Sequence, residues 1–199
     1  MLSGGQLAGG NTVSKKAEND YYATDPETVS LFLDKFHSDG ESLGSHIWEP
    51  ACGGGNICNV IKEYYPNSIL HASDVVDRGY SGTKILDFLV SKKITPMDTI
   101  ITNPPFSLLN DFIKHGLEIL ANQGKLIFLA KIQTLEGTAR KMLLENNGLK
   151  YVYVHSSRQA TWKNGEPRDQ YGKRWSTTMC MAWFVWEKGY KGIPSIRFL

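Results

Sequence analysis

Two consecutive prolines, Pro104 and Pro105, follow a short β-branched run, Thr99-Ile100-Ile101-Thr102, with Asn103 between. The run reads as a buried strand. The prolines end it, because each lacks a backbone N–H and the first keeps Asn103 out of helical geometry. The chain must therefore turn a rigid corner at a strand end. That corner carries an amide (Asn103), a proline carbonyl (Pro104) and an aromatic ring (Phe106). Together they can accept two hydrogen bonds from an amine on a flat ring and stack on the ring itself. The plain alternative is a Pro-Pro turn followed by a core phenylalanine.

A second corner precedes it. Ser45–Trp48 reads as a strand, Glu49-Pro50-Ala51-Cys52-Gly53-Gly54-Gly55-Asn56 as a glycine-rich turn, and Ile57–Tyr64 as a helix. Glycines let a backbone approach a ligand closely, and a helix N-terminus offers free N–H groups. The spacing is not the dinucleotide fingerprint, and no Gly-Lys-Ser/Thr follows. Glu49 would repel pyrophosphate but suits an ammonium. The next strand, Ser68–Ala72, ends at Ser73-Asp74, and an acid there is placed to accept two ribose hydroxyls. Asp77 competes for that role but reads as a solvated loop acid, and Arg78 borders the site. Cys52, with no histidine beside it, reads as small and buried.

The rest of the chain alternates strands and helices. Thr24-Asp25-Pro26-Glu27 is a helix start with Thr24 as the expected cap, and Val29, Phe32, Leu33 and Phe36 follow at helical spacing. A helix is expected from Leu108 or Leu109 to Leu120, a strand over Leu126–Ala130, a helix over Thr134–Leu144, and strands over Leu149–Val154 and Met179–Trp186. Such alternation predicts an α/β fold, a mostly parallel sheet with helices on both faces. The last two strands, joined by a long connection, fit an antiparallel hairpin. Residues 1–20, rich in Gly, Ser, Asn and Lys, read as a flexible leader, and 21–199 as one domain. No apolar stretch approaches the ~18 residues of a membrane span. Three cysteines without zinc-ligand grouping point to a reducing, cytoplasmic setting and to no metal site. A net charge of +2 requires any basic footprint to be local. The connection 156–177 supplies one: Arg158, Lys163, Arg168, Lys173 and Arg174, interleaved with Trp162, Tyr171 and Trp175. Basic groups neutralise phosphates and aromatics stack on bases. The plain alternative is a solvated hairpin loop.

Asn103-Pro104-Pro105-Phe106 resembles the catalytic motif of amino-methyltransferases that use S-adenosylmethionine, most of all the DNA adenine-N6 enzymes of phages and prophages. The resemblance spans about residues 21–192, including the tail Glu187–Gly192. It implies a Rossmann-like class I methyltransferase fold with a seven-stranded sheet. It implies that Asn103 and the Pro104 carbonyl hold the target amine, that Pro105 stiffens the clamp, and that Phe106 stacks on the flipped base. The nitrogen lone pair then attacks the sulfonium methyl in line, with no cysteine adduct. Glu49, Pro50, Ala51, Gly53, Gly55 and Asn56 resemble the cofactor loop, and Asn103 borders the cofactor. Asp87 and Phe88 resemble the pair that holds the cofactor adenine, and Tyr22, Thr24 and Asp25 match the segment that closes over it. Larger members carry a target-recognition domain for which this chain has no room. Selectivity for a DNA target, duplex or single-stranded, then falls to the 156–177 loop, the loop after Phe106, or a partner subunit. Alternatives are methylation of a protein glutamine amide, where the related string ends in tyrosine; methylation of adenine in RNA; and a non-catalytic nucleic-acid-binding module.

Overall fold

The computed structural model describes residues 21–92, 97–159, 161–173, 175 and 179–199. The expected leader, 1–20, and Arg174 lie outside the described residues.

In chain order the elements are β1 (Tyr22–Thr24), α1 (Pro26–Ser38), β2 (His46–Glu49), α2 (Asn56–Tyr64), β3 (Ile69–Asp74), β4 (Lys84–Ile85), β5 (Thr99–Thr102), α3 (Leu109–Ile119), β6 (Lys125–Lys131), α4 (Thr138–Glu145), β7 (Leu149–Val154), β8 (Thr161–Lys163), β9 (Met181–Glu187) and β10 (Ser195–Phe198). Short 3-10 turns lie at Phe88–Val90, Phe106–Leu108 and Ile132–Leu135. Eight strands form one sheet in the order β10-β7-β9-β6-β5-β2-β3-β4, and β1 pairs with β8 in a separate two-stranded ribbon. All neighbours in the large sheet are parallel except β9, which runs antiparallel to both β6 and β7. The antiparallel closing hairpin is as expected. The sheet has an eighth strand, β10, beyond the seven expected.

Strand periodicity divides the core between the two faces of the sheet. Ile47, Ile101, Ile127, Leu129, Trp183 and Val185 pack on one side with Phe32, Leu33, Phe36 and Ile61 of the helices α1 and α2. Trp48, Ile100, Leu126, Phe128, Phe184 and Trp186 pack on the other with Phe112 and Ile113 of α3. A sheet covered on both faces reads as near-continuous apolar strands, which is the pattern of β5, β6 and β9. Val29, Phe32, Leu33 and Phe36 are all fully buried, as their spacing requires.

Two local expectations change. Asp25, not Thr24, caps α1, its carboxylate accepting from the Glu27 N–H at 3.1 Å. Thr24 is the last residue of β1 and has extended neighbours instead of a helix to cap. The single helix expected over 134–144 is a 3-10 turn followed by α4, because Gly137 adopts φ 109° and breaks the ladder.

Candidate active site

The parallel strands β2, β3 and β5 carry their chemistry at their C-terminal ends, where Glu49, Asp74 and Asn103 stand side by side in the sheet order. Between β2 and α2 the glycine-rich turn takes left-handed angles at Gly53 (φ 52°) and Gly55 (φ 84°). A side chain at Gly55 is doubly excluded, since the Tyr80 ring occupies the space a Cβ would need. The turn is fastened to β3 by Asp74: one carboxylate oxygen accepts from Gly53 N–H at 2.9 Å and the other from Val76 N–H at 3.1 Å. Asp74 is thus an anchor of the loop, and its remaining lone pairs are what it can offer to hydroxyls.

Glu49 is 1% exposed and accepts from the Cys58 thiol at 3.1 Å. Burial pushes its carboxyl up to about 8, and the Asp74 charge adds to the push. At neutral pH it is mostly protonated, and an arriving cation would favour its ionised form. Burial also pushes the Cys52 thiol up to about 11, which fits a packing residue and not a nucleophile.

The β1 strand lies across these strand ends and meets every part of the site. The Asn103 side-chain amide donates to the Tyr22 carbonyl at 2.8 Å, and the Asn56 amide donates to the Thr24 carbonyl at 2.8 Å. The Tyr21 hydroxyl accepts from Gly54 N–H at 2.9 Å, with the Arg78 guanidinium 4.1 Å from its ring centre. Tyr22 stacks on Phe106 at 5.9 Å between centroids and 26° between planes. The Lys131 ammonium, at the end of β6, lies 4.6 Å from the Phe106 centroid. Tyr21, Tyr22, Thr24, Glu49, Asn56 and Asn103 are among the residues lining a cavity of about 20 Å³ that opens to solvent. Its inner part has room for little more than one water.

Most of the expected cofactor residues meet here: Tyr22, Thr24, Glu49, Ala51, Asn56 and Asn103 line the cavity, and Gly53, Gly55 and Asp74 build the loop around it. Pro50 is buried behind the loop. Asp25 is occupied as the α1 cap. Asp87 is exposed and caps the Phe88–Val90 turn, accepting from Leu89 N–H at 2.9 Å. Phe88 differs from the expectation. Its ring is 1% exposed and packs on Trp48, Phe112 and His115, so it is a core residue with no face turned to a ligand. Pro104 is buried, while Pro105 and Phe106 are half-buried. In the 156–177 segment, Arg158, Arg168 and Lys173 are exposed and Lys163 sits in β8, paired across from Tyr22. Tyr21 and Lys131 were not anticipated. Tyr21 carries no motif, whereas Lys131 had a signal: a lone cation closing an apolar strand.

The donor set fits S-adenosylmethionine by type. Glu49 suits an ammonium and Asp74 suits ribose hydroxyls, while the Gly54 N–H is already taken by the Tyr21 hydroxyl. Thr24 Oγ1 is buried without a hydrogen-bond partner among the described residues, an orphan that a ligand could satisfy. Among the described residues no cluster of acids, histidines and cysteines could hold a metal, and no helix is long and apolar enough to cross a membrane.

No protein-family model matches the chain, and no curated protein matches it in sequence. Solved structures do. A protein from Listeria monocytogenes assigned to the class I S-adenosylmethionine-dependent methyltransferases is similar with TM-score 0.64 and 16% identity, over 97% of this chain and 70% of that one. The type IIG restriction endonuclease BpuSI is similar with TM-score 0.63 and 15% identity, over 88% of this chain and 26% of that one. The methyltransferase subunit of a type I restriction-modification system from Streptococcus thermophilus is similar with TM-score 0.59 and 15% identity, over 92% of this chain and 48% of that one. The chain thus spans about a quarter to a half of the two restriction-system chains. At these identities the likeness shows the fold: a Rossmann-like class I methyltransferase fold with a mixed sheet and flanking helices.

Proposed function

We propose that this protein transfers a methyl group from S-adenosylmethionine to the exocyclic N6 amine of adenine in DNA. The observation that carries the reading is the posture of Asn103. Its amide nitrogen is tied to the Tyr22 carbonyl, and among the described residues its side-chain oxygen makes no hydrogen bond. That oxygen is therefore held as an acceptor at the end of β5, beside the rigid Pro104-Pro105 corner and the Phe106 ring. Asn103 and the Pro104 carbonyl would take the two amine hydrogens, and Phe106 would lie on the base. Such alignment of the amine is the main contribution the chain makes to rate. Bound S-adenosylmethionine would supply the electrophilic methyl; Glu49, Asp74, Asn56 and the Gly53–Gly55 turn would hold it.

A base inside a duplex cannot reach a concave site of this kind, so the adenine must leave the stack. Restriction-system proteins among the similar folds, together with the exposed Arg158, Arg168 and Lys173, favour nucleic acid as the acceptor. The test is a labelled-methyl transfer assay with duplex DNA, single-stranded DNA, RNA and a glutamine-bearing release-factor protein. Label in DNA, recovered as N6-methyladenine, is the expected result. Label only in protein or RNA would move the assignment to those acceptors, and failure to bind S-adenosylmethionine would leave a binding module.

A further inference from the structure

We propose that Tyr22 is the second wall of the target slot, facing Phe106, so that the acceptor base enters between the two rings. The inference rests on the function just proposed and assigns to the acceptor a residue whose sequence position suggests the cofactor. Extended chain at the start of β1 separates Tyr22 from Tyr21 just before it, since neighbouring side chains of extended backbone point to opposite faces. Tyr21 lies on the glycine turn, with its hydroxyl on Gly54 N–H. Tyr22 turns the other way and stacks on Phe106. The same residue holds the Asn103 amide through its carbonyl, so ring and acceptor are positioned by one unit of backbone.

The slot has the chemistry of a flat, amine-bearing ring with a phosphate attached. Its two faces are aromatic, and Asn103 stands at the strand end beside it. The Lys131 ammonium lies against Phe106, and Lys163 stands opposite Tyr22 in the ribbon register. A base between two rings needs them about 7 Å apart, two layers of roughly 3.5 Å. The centroids are now 5.9 Å apart, so the rings must part slightly. The ribbon permits this, because among the described residues β1 pairs with β8 and not with the eight-stranded sheet. A peptide amide would need no second ring and no cation beside it.

The experiment compares Tyr22→Ala and Tyr22→Phe with the wild type. It measures S-adenosylmethionine affinity by calorimetry and kcat/KM for methylation of random-sequence DNA. Losing one stacking face should lower kcat/KM for DNA roughly five- to hundredfold in Tyr22→Ala. Tyr22→Phe should restore most of it, and cofactor affinity should stay within about twofold in both. Because Tyr22→Ala could loosen β1, the unchanged cofactor affinity is the readout that simple loosening would not give, and a double-mutant cycle with Phe106→Ala adds a second requirement. Two walls of one slot predict strong non-additivity in kcat/KM. Additive losses, unchanged kcat/KM, or a loss of cofactor affinity equal to the loss on DNA would each overturn the slot. A wild type that methylates no nucleic acid would overturn the proposed function and the slot with it, whereas an active wild type with an unaffected Tyr22→Ala overturns the slot alone.

Discussion

At the scale of residues, the clamp and the acid make separable predictions. Asn103→Ala should leave the fold and cofactor affinity nearly intact, since β5 is held by its own ladder on both sides. It removes one oriented acceptor, and at a preorganised site such a loss costs on the order of 3 kcal/mol, about a hundredfold in single-turnover rate. A wild-type rate would reduce residues 103–106 to a turn. Glu49 makes a pH prediction. Burial raises its carboxyl from an ordinary 4.5 to about 8, so the fold favours the protonated acid. Its contribution to stability is therefore fully present below about 4.5 and lost as pH rises through 8. Thermal melts should show Glu49→Gln losing less stability than the wild type across that window. If Glu49 faces the ammonium of the cofactor, binding near neutral pH should also release a proton. The calorimetric heat would then depend on the buffer in the wild type and not in Glu49→Gln. The strand-end positions of Glu49 and Asn103 were legible in the sequence because each closes a short strand beside a Gly- or Pro-rich turn. Phe88 was misjudged because an aromatic after an acid looks the same whether its ring faces a ligand or the core.

Elements decide how these residues are brought together. The ribbon of β1 and β8 joins the segment before α1 to the basic connection before β9, more than a hundred residues later in the chain. No local pattern announces it, because three-residue strands are too short for a period to register. The connection itself is partly built. Asp169 accepts from the Tyr171 and Lys173 N–H groups, each at 2.9 Å, and Arg168 donates to the Gly172 carbonyl at 2.8 Å. If it lies on nucleic acid, replacing Arg168 and Lys173 with alanine should weaken DNA binding for all sequences alike. The log–log salt slope should fall by roughly 2, about one per lost phosphate contact. Unchanged slope and affinity would return the loop to a solvated surface. The boundary between the Ile132–Leu135 turn and α4 is the reverse case. Gly137 was visible in sequence as a weak point, and the structure turns it into a break.

At the scale of the whole molecule, stability rests on a sheet covered on both sides. Phe184 is fully buried in β9, between β6 and β7, and touches the core around α3. Phe184→Ala should cost about 3–5 kcal/mol, read as a lower urea midpoint, and act on the site only by unfolding it. A near-neutral melt would mean that the α3 face does not hold the sheet together. The sequence by itself determined the order of most elements, the parallel body of the sheet, its antiparallel closure and the Gly-rich and Pro-Pro corners at two strand ends. Those are consequences of short-range pattern: apolar runs of strand length, helical spacing, and Gly or Pro where the chain must turn. The tertiary structure decided what depends on partners distant in sequence. It paired β1 with β8 and laid Tyr21 and Tyr22 over the site. It made Asp74 an anchor for the glycine turn and placed Phe88 in the core. It also added β10 at the edge beside β7, where a four-residue alternation of Ser195, Ile196, Arg197 and Phe198 finds a strand to extend. Burial and hydrogen-bond partners are properties of the packed chain, and a residue's local sequence does not carry them.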